Sequence, residues 1–445
     1  MIGGVKLKID EIIKIIKNDK PRREEILKAK KYYANKNDIL DYGVSKNDKT
    51  DPLRNADNRI SHNFHQLMVD EKASYLFTYP VLFDLGNDEL NKKVNYILGD
   101  NFESTCKDLC IEVSNASNAF IYYCCNEDLD FEYYMVPTED IIVKYADNRK
   151  SKIAAVYRYY ETVENNKNIV VFEYWTGCKL EKYYLLGTLN SIEGEFYKPA
   201  DLIGHKFGEV PFIEFRNNNR FQSDLDKYKN LIDIYDKVSS GYANDLEDIQ
   251  QVIYILENYG GEDLKEFLGD LKRYKAVKTE SDSVGGSGSV KTLQIEIPVE
   301  ARTKLLDILK KQIYESGQGL QQDTESFGNA SGVALKFFYR KLELKAGLIE
   351  TEFKKSFNRL IKVILKYLNI NSDINIHQTY TRNMISNDLE NAQIAQISVG
   401  VIPKKIIIKN HPWVENPEEA YKLLEEEEGD VDPYENRQSE TSIDE

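Results

Sequence analysis

Few side chains in this sequence stand at spacings that support chemistry. His62-x-x-His65 is one such pair. On a helix, residues three apart share a face and can hold a metal. The only other histidines are His205, His377 and His411, and no His-Glu-x-x-His or Cys-x-x-Cys element accompanies the pair. Helix-surface or interface histidines are the better reading. Cys106-x-x-x-Cys110 and Cys124-Cys125 read as small buried apolar thiols rather than a metal cluster. Gly286-Ser-Gly288 lacks the third glycine of a dinucleotide fingerprint and lies in a hairpin-like segment, so it reads as a flexible tip. There is no G-x-x-x-x-G-K-[ST] phosphate loop and no G-x-S-x-G nucleophile elbow. Carboxylates are abundant, but no pair stands out. Catalytic residues, metal ligands and cofactors are therefore assigned as none.

Two segments suggest contact rather than catalysis. Residues 317–330 (GQGLQQDTESFGNA) are rich in Gln, Ser, Thr and Asn and carry no apolar period. Such a stretch is ordinarily a surface connection, yet here it joins two helices. The basic run Lys272-Arg273-Tyr274-Lys275-Ala276-Val277-Lys278 is either a solvated face or a docking patch.

The elements that must position these segments follow from composition and pattern. The chain has 445 residues, 41% hydrophobic and 30% charged, which supports a sizeable core. Its net charge of −15 excludes a globally basic nucleic-acid binder, because duplex affinity comes mostly from Lys and Arg displacing phosphate counterions. Ten acids against one Arg lie between Glu425 and Glu445, so the excess is concentrated at the end. The charge-free runs fall short of the ~20 apolar residues a membrane span needs. The first residues lack the apolar stretch of a signal peptide. Five cysteines, an odd count, are expected to be reduced thiols in a cytoplasmic compartment.

Helix is expected over 9–34, with Pro21 opening a second helix through Tyr33, and again over 60–77, 87–98 and 101–115. Between these, 35–59 is a polar arm. From 119 to 216 short β-rich runs (119–125, 131–136, 140–145, 153–159, 169–175 and 178–186) predict an antiparallel meander. Asn165-Asn166 marks a hairpin turn. A long helix is expected over 225–258, then a short helix at 262–270 and strands near 274–279 and 290–297, with the linker Ser281–Ser289 as a hairpin tip. Another helix follows to about Ser316. Ser331–Leu368 has no proline, and Phe338, Leu342, Ile349, Phe353, Phe357, Leu360, Ile364 and Leu368 recur at helical spacing. At about 1.5 Å per residue this helix runs roughly 57 Å, with Gly347 as its kink point. A strand at 374–381 and helices near 386–397, 403–409 and 416–428 complete an α+β, mostly helical chain.

Several stretches resemble the portal proteins of tailed bacteriophages, in the branch typical of long-tailed phages of Gram-positive hosts. They are Asn58-Arg-Ile-Ser-His-Asn-Phe64, Val69-Asp-Glu-Lys-Ala-Ser-Tyr75, Tyr79-Pro80-Val81 and Val210-Pro-Phe-Ile-Glu-Phe215 with Asn217-Asn218. To these add Phe327-Gly-Asn-Ala-Ser-Gly-Val-Ala-Leu-Lys336, Pro412-Trp413-Val414 and Asn416-Pro-Glu-Glu419. Each is weakly specific; their order over residues 58 to 419, with the long-helix layout, is more so. The resemblance implies a non-enzymatic ring, usually of twelve subunits, at one capsid vertex of the virion, assembled in the host cytoplasm. Double-stranded DNA would pass through it during packaging and ejection.

The implied subunit has a wing (1–225), a stem of two helices (226–258 and 299–316) and a clip between them (259–298). A tunnel loop (317–330), a long wing helix and strand (331–382), a crown (383–428) and a disordered acidic tail (429–445) follow. The DNA-facing residues would be Gln318, Gln321, Gln322, Asp323, Thr324, Glu325, Ser326 and Asn329. Lys272, Arg273 and Lys275 would dock the terminase motor and then the head–tail adaptor. Capsid and scaffolding proteins are further implied partners; a membrane is not.

The residues fit a conduit independently. A channel must not hold phosphates strongly. Residues 226–258 carry seven acids (Asp226, Asp233, Asp236, Asp245, Glu247, Asp248 and Glu257) against three Lys, and 317–330 has Asp323 and Glu325 with no Lys or Arg. Such surfaces gain little counterion-driven affinity. The alternatives are another helical scaffolding protein of a virion, or a carboxylate-dependent nuclease.

Overall fold

A computed structural model describes residues 7–42, 56–248, 253–257, 289–293, 298–320, 332–383, 388–409, 411, 414 and 417–429. The chain mixes helix and sheet, as expected, and divides into two compact units. One is Met1–Gly319 with Lys345–Arg382; the other is Leu320–Leu344 with Asn383–Glu445.

The first unit opens on α1 (Ile9–Tyr33) and a short α2 (Asp38–Asp41). α1 is one helix, not two, and Pro21 lies inside it. An interior proline removes a backbone bond and costs about 3 kcal/mol, so packing must offset it. Ile12 and Ile16 bury against the large sheet, Ala29 and Tyr32 against the helices, and Arg22 donates to the Thr138 and Glu139 carbonyls. Both halves are thus held in line.

Next come α3 (Phe64–Phe77), β1 (Leu82–Asp84), α4 (Asp88–Leu98) and α5 (Phe102–Ala116). α3 starts four residues later than its periodicity predicts. The preceding segment is tied to a later helix, α6 (Lys229–Asp248): Ile60 N–H donates to Ser240 Oγ and His62 N–H to Asp236 Oδ1. Those donors are therefore satisfied without helix.

The β region holds two sheets. β2 (Asn118–Cys125) is flanked by β3 (Phe131–Val136) and β9 (Phe212–Arg216). β4 (Ile141–Tyr145), β5 (Ile153–Glu164), β6 (Lys167–Trp175), β7 (Lys179–Thr188) and β8 (Ser191–Gly204) form the expected antiparallel meander. Asn165 and Asn166 both have positive φ and close the β5–β6 hairpin at the pair Glu164–Lys167. β8 has no counterpart in the sequence reading. It is an edge strand with Pro199 and register shifts against β7, and such strands escape the alternation that betrays a half-buried one. Phe120, Val136, Trp175 and Phe212 share the core between the two sheets.

α6 runs Lys229–Asp248 and is followed by a strand, β10 (Ile253–Glu257), where one helix to 258 was expected. β10 pairs antiparallel with β11 (Ser289–Leu293), with Ile253 opposite Leu293 and Glu257 opposite Ser289. Ile253-Tyr-Ile-Leu256 is β-branched and aromatic, and its period does not distinguish strand from helix. The strand near 290–297 is thus found at 289–293, but with a different partner. Segments 262–270 and 274–279 lie outside the described residues.

α7 (Val299–Gly317) returns along α6: Arg302 pairs with Asp245 near one end, and Ile313 packs with Ile232 nearer the other, so the two are antiparallel. α8 (Gly332–Tyr367) is one 36-residue helix, continuous through Gly347. From Lys345 onward it belongs to the first unit. There Phe353 and Phe357 meet Phe215 at 5.1 Å each, and Phe357 also meets Phe83 and Phe102. β12 (His377–Thr379) pairs with β1.

In the second unit lie the opening turns of α8 and the helices α9 (Asp388–Ile397), α10 (Lys404–Lys409) and α11 (Pro417–Gly429). Lys405 lies 5.7 Å from the Tyr421 ring centroid, linking α10 to α11. Among the described residues no helix is long and apolar enough to cross a membrane.

Candidate functional site: a helix end held by a buried charge cluster

The loop assigned to DNA begins where α7 ends, and that end has a defined construction. Gln318 caps the helix in the left-handed region at φ 56°. Its N–H bonds the Glu315 carbonyl, and the Gly319 N–H bonds the Tyr314 carbonyl. This is the Schellman pattern, which satisfies carbonyls left open by the last turn. The left-handed residue is usually glycine, but here it is glutamine, with glycines on either side. A Cβ on Gly317 would lie 2.3 Å from Met68 Sδ, and one on Gly319 would lie 3.0 Å from Met68 Cγ. The closeness of Met68 on α3, not backbone angle, favours glycine at both positions.

Behind this end lies a buried ionic cluster. Asp224 Oδ2 takes Lys72 Nζ at 2.6 Å and Lys345 Nζ at 3.1 Å. Asn217 donates to Asp224 Oδ1 at 3.0 Å and accepts from Lys72 at 3.1 Å. Lys227 reaches Oδ1 at 3.4 Å from a position 35% exposed, whereas Lys72, Lys345 and Asp224 are buried. Burial alone would raise the Asp224 pKa, but Lys345, Lys72 and Lys227 outweigh it and hold the carboxyl well below its usual range. Burial, reinforced by Lys72, brings Lys345 down to about 8 against the pull of Asp224. Lys345 also donates to the Gly317 carbonyl at 2.9 Å.

His65 completes the surroundings, accepting from Tyr228 Oη at Nδ1 (2.7 Å) and donating from Nε2 to Asn115 Oδ1 (2.8 Å), the arrangement of a neutral ring. Burial lowers its pKa to about 4. His62 lies ahead of α3 and bonds Asp236 at 2.7 Å, so the two histidines face different partners and do not act as a pair. Cys106 and Cys110 are buried as expected, and burial raises the Cys110 thiol to about 11. Cys124 is only part-buried, and Cys125 is exposed. None of these groups is an activated nucleophile.

The acids read as a repulsive wall along 226–258 are largely engaged inside the chain. Asp236 is fully buried and bonds Asn37 and His62. Asp233 takes Lys229 and the Tyr32 hydroxyl, Asp245 takes Arg302, and Glu247 accepts from Asn58. Lys229 and Arg302 offset Asp233 and Asp245, whereas Asn37 and Asn58 bond Asp236 and Glu247 without cancelling their charge.

Of the residues assigned to DNA, Gln318 is the half-buried cap of α7. Gln321, Gln322, Asp323, Thr324, Glu325, Ser326 and Asn329 lie outside the described residues, as do Lys272, Arg273 and Lys275. The sequence reading did not single out Lys72, Asp224 or Lys345. A signal was present: Lys72 falls between Met68 and Leu76, and Lys345 between Leu342 and Ile349, each at helical spacing within an apolar stripe. A lysine in such a stripe needs a buried partner.

Of the stretches that drew the resemblance, those within residues 58–218 supply part of the scaffold. Lys72 and Asn217 meet in the charge cluster, and Phe64 packs on α6 and α7. The family model for "Phage portal protein, SPP1 Gp6-like" matches residues 12–434. The chain belongs to the phage portal family. It is 56% identical over 437 residues to the portal protein of Clostridium phage phiCD119, covering 95% of this chain and 96% of that one. It is 32% identical over 435 residues to the portal protein of Bacillus phage SPP1, covering 92% and 84%. Among solved structures, a chain of the neck of a native GTA particle, computed with C12 symmetry, is similar at 12% identity. Its TM-score is 0.44, with 77% of this chain and 88% of that one covered, a likeness too distant to bear on function. Portal proteins are structural, non-enzymatic virion components of the capsid vertex. In this portal chain the buried polar groups accordingly hold elements in place.

Proposed function

We propose that this portal-family chain closes into a ring of about twelve subunits by a head-to-tail interface with cyclic symmetry, and that double-stranded DNA passes through it. In this reading the antiparallel pair α6 and α7 forms the stem, within 226–258 and 299–316. The wing spans 1–225 and is joined by 331–382; the clip is 259–298, the crown 383–428 and the acidic tail 429–445. Residues 317–330 form the tunnel loop. Lys272, Arg273 and Lys275 dock the packaging motor and later the head–tail adaptor. Assembly takes place in the host cytoplasm, with capsid and scaffolding proteins as further partners.

The observation that carries this reading is the family match over residues 12–434. It is supported by a tightly seated end of α7, which gives a polar loop a fixed origin beside the candidate stem. Internal hydrogen bonding of the α6 acids does not weaken it, since a wall that keeps part of its negative charge still holds phosphates loosely.

The test has two parts. Light scattering on purified protein should give a mass near twelve protomers; a monomer at micromolar concentration and moderate salt would count against the ring. Deleting Gln321–Ser326 should then spare assembly while reducing DNA packaging or retention. Full packaging and retention in that variant would remove the loop assignment.

A further inference from the structure

The chain leaves the first unit after Gly319 and re-enters it at Lys345. Those two crossing points are bonded to each other, because Lys345 Nζ donates to the Gly317 carbonyl at 2.9 Å. The bond is not required to balance charge. Asp224 already has Lys72 at 2.6 Å, Lys227 at 3.4 Å and the Asn217 amide at 3.0 Å. Lys345 is thus a second buried cation on a single buried carboxylate, and a leucine would continue the apolar stripe of α8 without desolvating an ammonium. Buried ion pairs are often no more stabilising than apolar replacements. What an ammonium supplies and a leucine does not is direction: one donor to the helix-end carbonyl and another to a fixed carboxylate.

We propose that Lys345 is a positioning residue, stapling the outgoing chain at Gly317 to the incoming helix α8 and so fixing both ends of the Leu320–Leu344 excursion. The wall behind the staple is tied together by packing and hydrogen bonds. Gly317 is seated against Met68 and Tyr228, Tyr228 is bonded to His65, and Asp224 N–H is bonded to the Ser114 carbonyl. The staple stands on this geometry alone. Its consequence for DNA rests on the proposed role of 317–330.

Hydrogen exchange on the full-length assembled protein tests it, comparing wild type with Lys345→Met and Lys345→Arg. Lys345→Met should speed exchange of the amides of 317–320 and 332–344 about tenfold. Exchange in the β4–β8 sheet should be unchanged. Lys345→Arg, which keeps charged donors, should restore most of the protection. If Lys345→Met does not fold, Lys345→Gln carries the same reading, because its shorter amide cannot reach both partners. Unchanged exchange in 317–320 and 332–344, or a rise spread evenly over the first unit, would overturn the staple. DNA retention in particles separates the two claims. Faster local exchange with full retention sustains the staple and overturns the loop's role. Unchanged exchange, with DNA lost on deleting Gln321–Ser326, does the reverse.

Discussion

Asp224 and Lys72 face each other at 2.6 Å in the interior of the first unit, with side chains 1% and 0% exposed. Among the described residues this carboxylate faces both Lys72 and Lys345, so its loss and the loss of either lysine are unequal events. Asp224→Asn should cost about 3–5 kcal/mol, because it leaves two buried ammonium groups without a counter-charge. Lys72→Met should cost less, since Lys345 still faces the carboxylate. Urea-denaturation midpoints at one fixed protein concentration compare the variants; equal losses would show that charge balance does not govern the cluster.

Gly317→Ala places a methyl 2.3 Å from Met68 Sδ and 3.1 Å from Tyr228 Cε1. Overpacking of this kind should destabilise by about 1–3 kcal/mol. Met68→Ala removes the closest obstacle, so the double variant should lose less than the two single losses added. Strict additivity in a double-mutant cycle would mean that the two side chains do not compete for space.

The neutral state of His65 makes a prediction for mild acid. Its folded pKa is about 4, below the ordinary 6.5, because burial disfavours the charged ring. Between those values the unfolded chain binds a proton that the folded chain refuses. Stability is therefore fully present above pH 6.5 and falls as pH drops toward 4. Between pH 6.5 and 5 the loss from this one group should be about 2 kcal/mol. His65→Gln should remove that component, so its denaturation midpoint should change less over the same interval. An identical acid slope in the two proteins would assign the loss to other groups.

The thiols should divide by exposure. Cys125 and Cys178 are exposed, whereas Cys106 and Cys110 are buried with thiol pKa values raised by desolvation. A thiol reagent under native conditions should modify the first two rapidly and the second two only on unfolding. Fast native labelling of Cys110 would show that α5 opens easily.

Much of the fold is legible locally. Asn165-Asn166 specifies its hairpin because two successive positive φ angles suit asparagine and few other residues. The apolar period of α8 predicts its helix to within a residue at each end. The misreadings fall where a distant element overrides a local rule. Pro21 reads as a break, but Thr138 and Glu139 hold the helix through it by bonding Arg22. Residues 60–63 carry helical spacing, but Ser240 and Asp236 take their backbone donors. The candidate site was half legible: the polar loop appears in its composition, whereas the lysines of its anchor show only as charges inside apolar stripes, with no sign of which carboxylate they meet.

By itself the sequence determined the class of the chain, most but not all of its helices and strands, and its family, since these depend on local periodicity and on motifs that survive as short strings. Tertiary structure alone decided what the charges do. Asp236 and Asp233 read as acids of a channel wall but bond groups inside the chain, and Lys345, which the sequence did not single out, bonds Asp224 and Gly317. The reason is physical. The free energy of an ion depends on its nearest partners and on water exclusion, and for Lys345, Lys72 and Asp236 partners lie tens to nearly two hundred residues away along the chain.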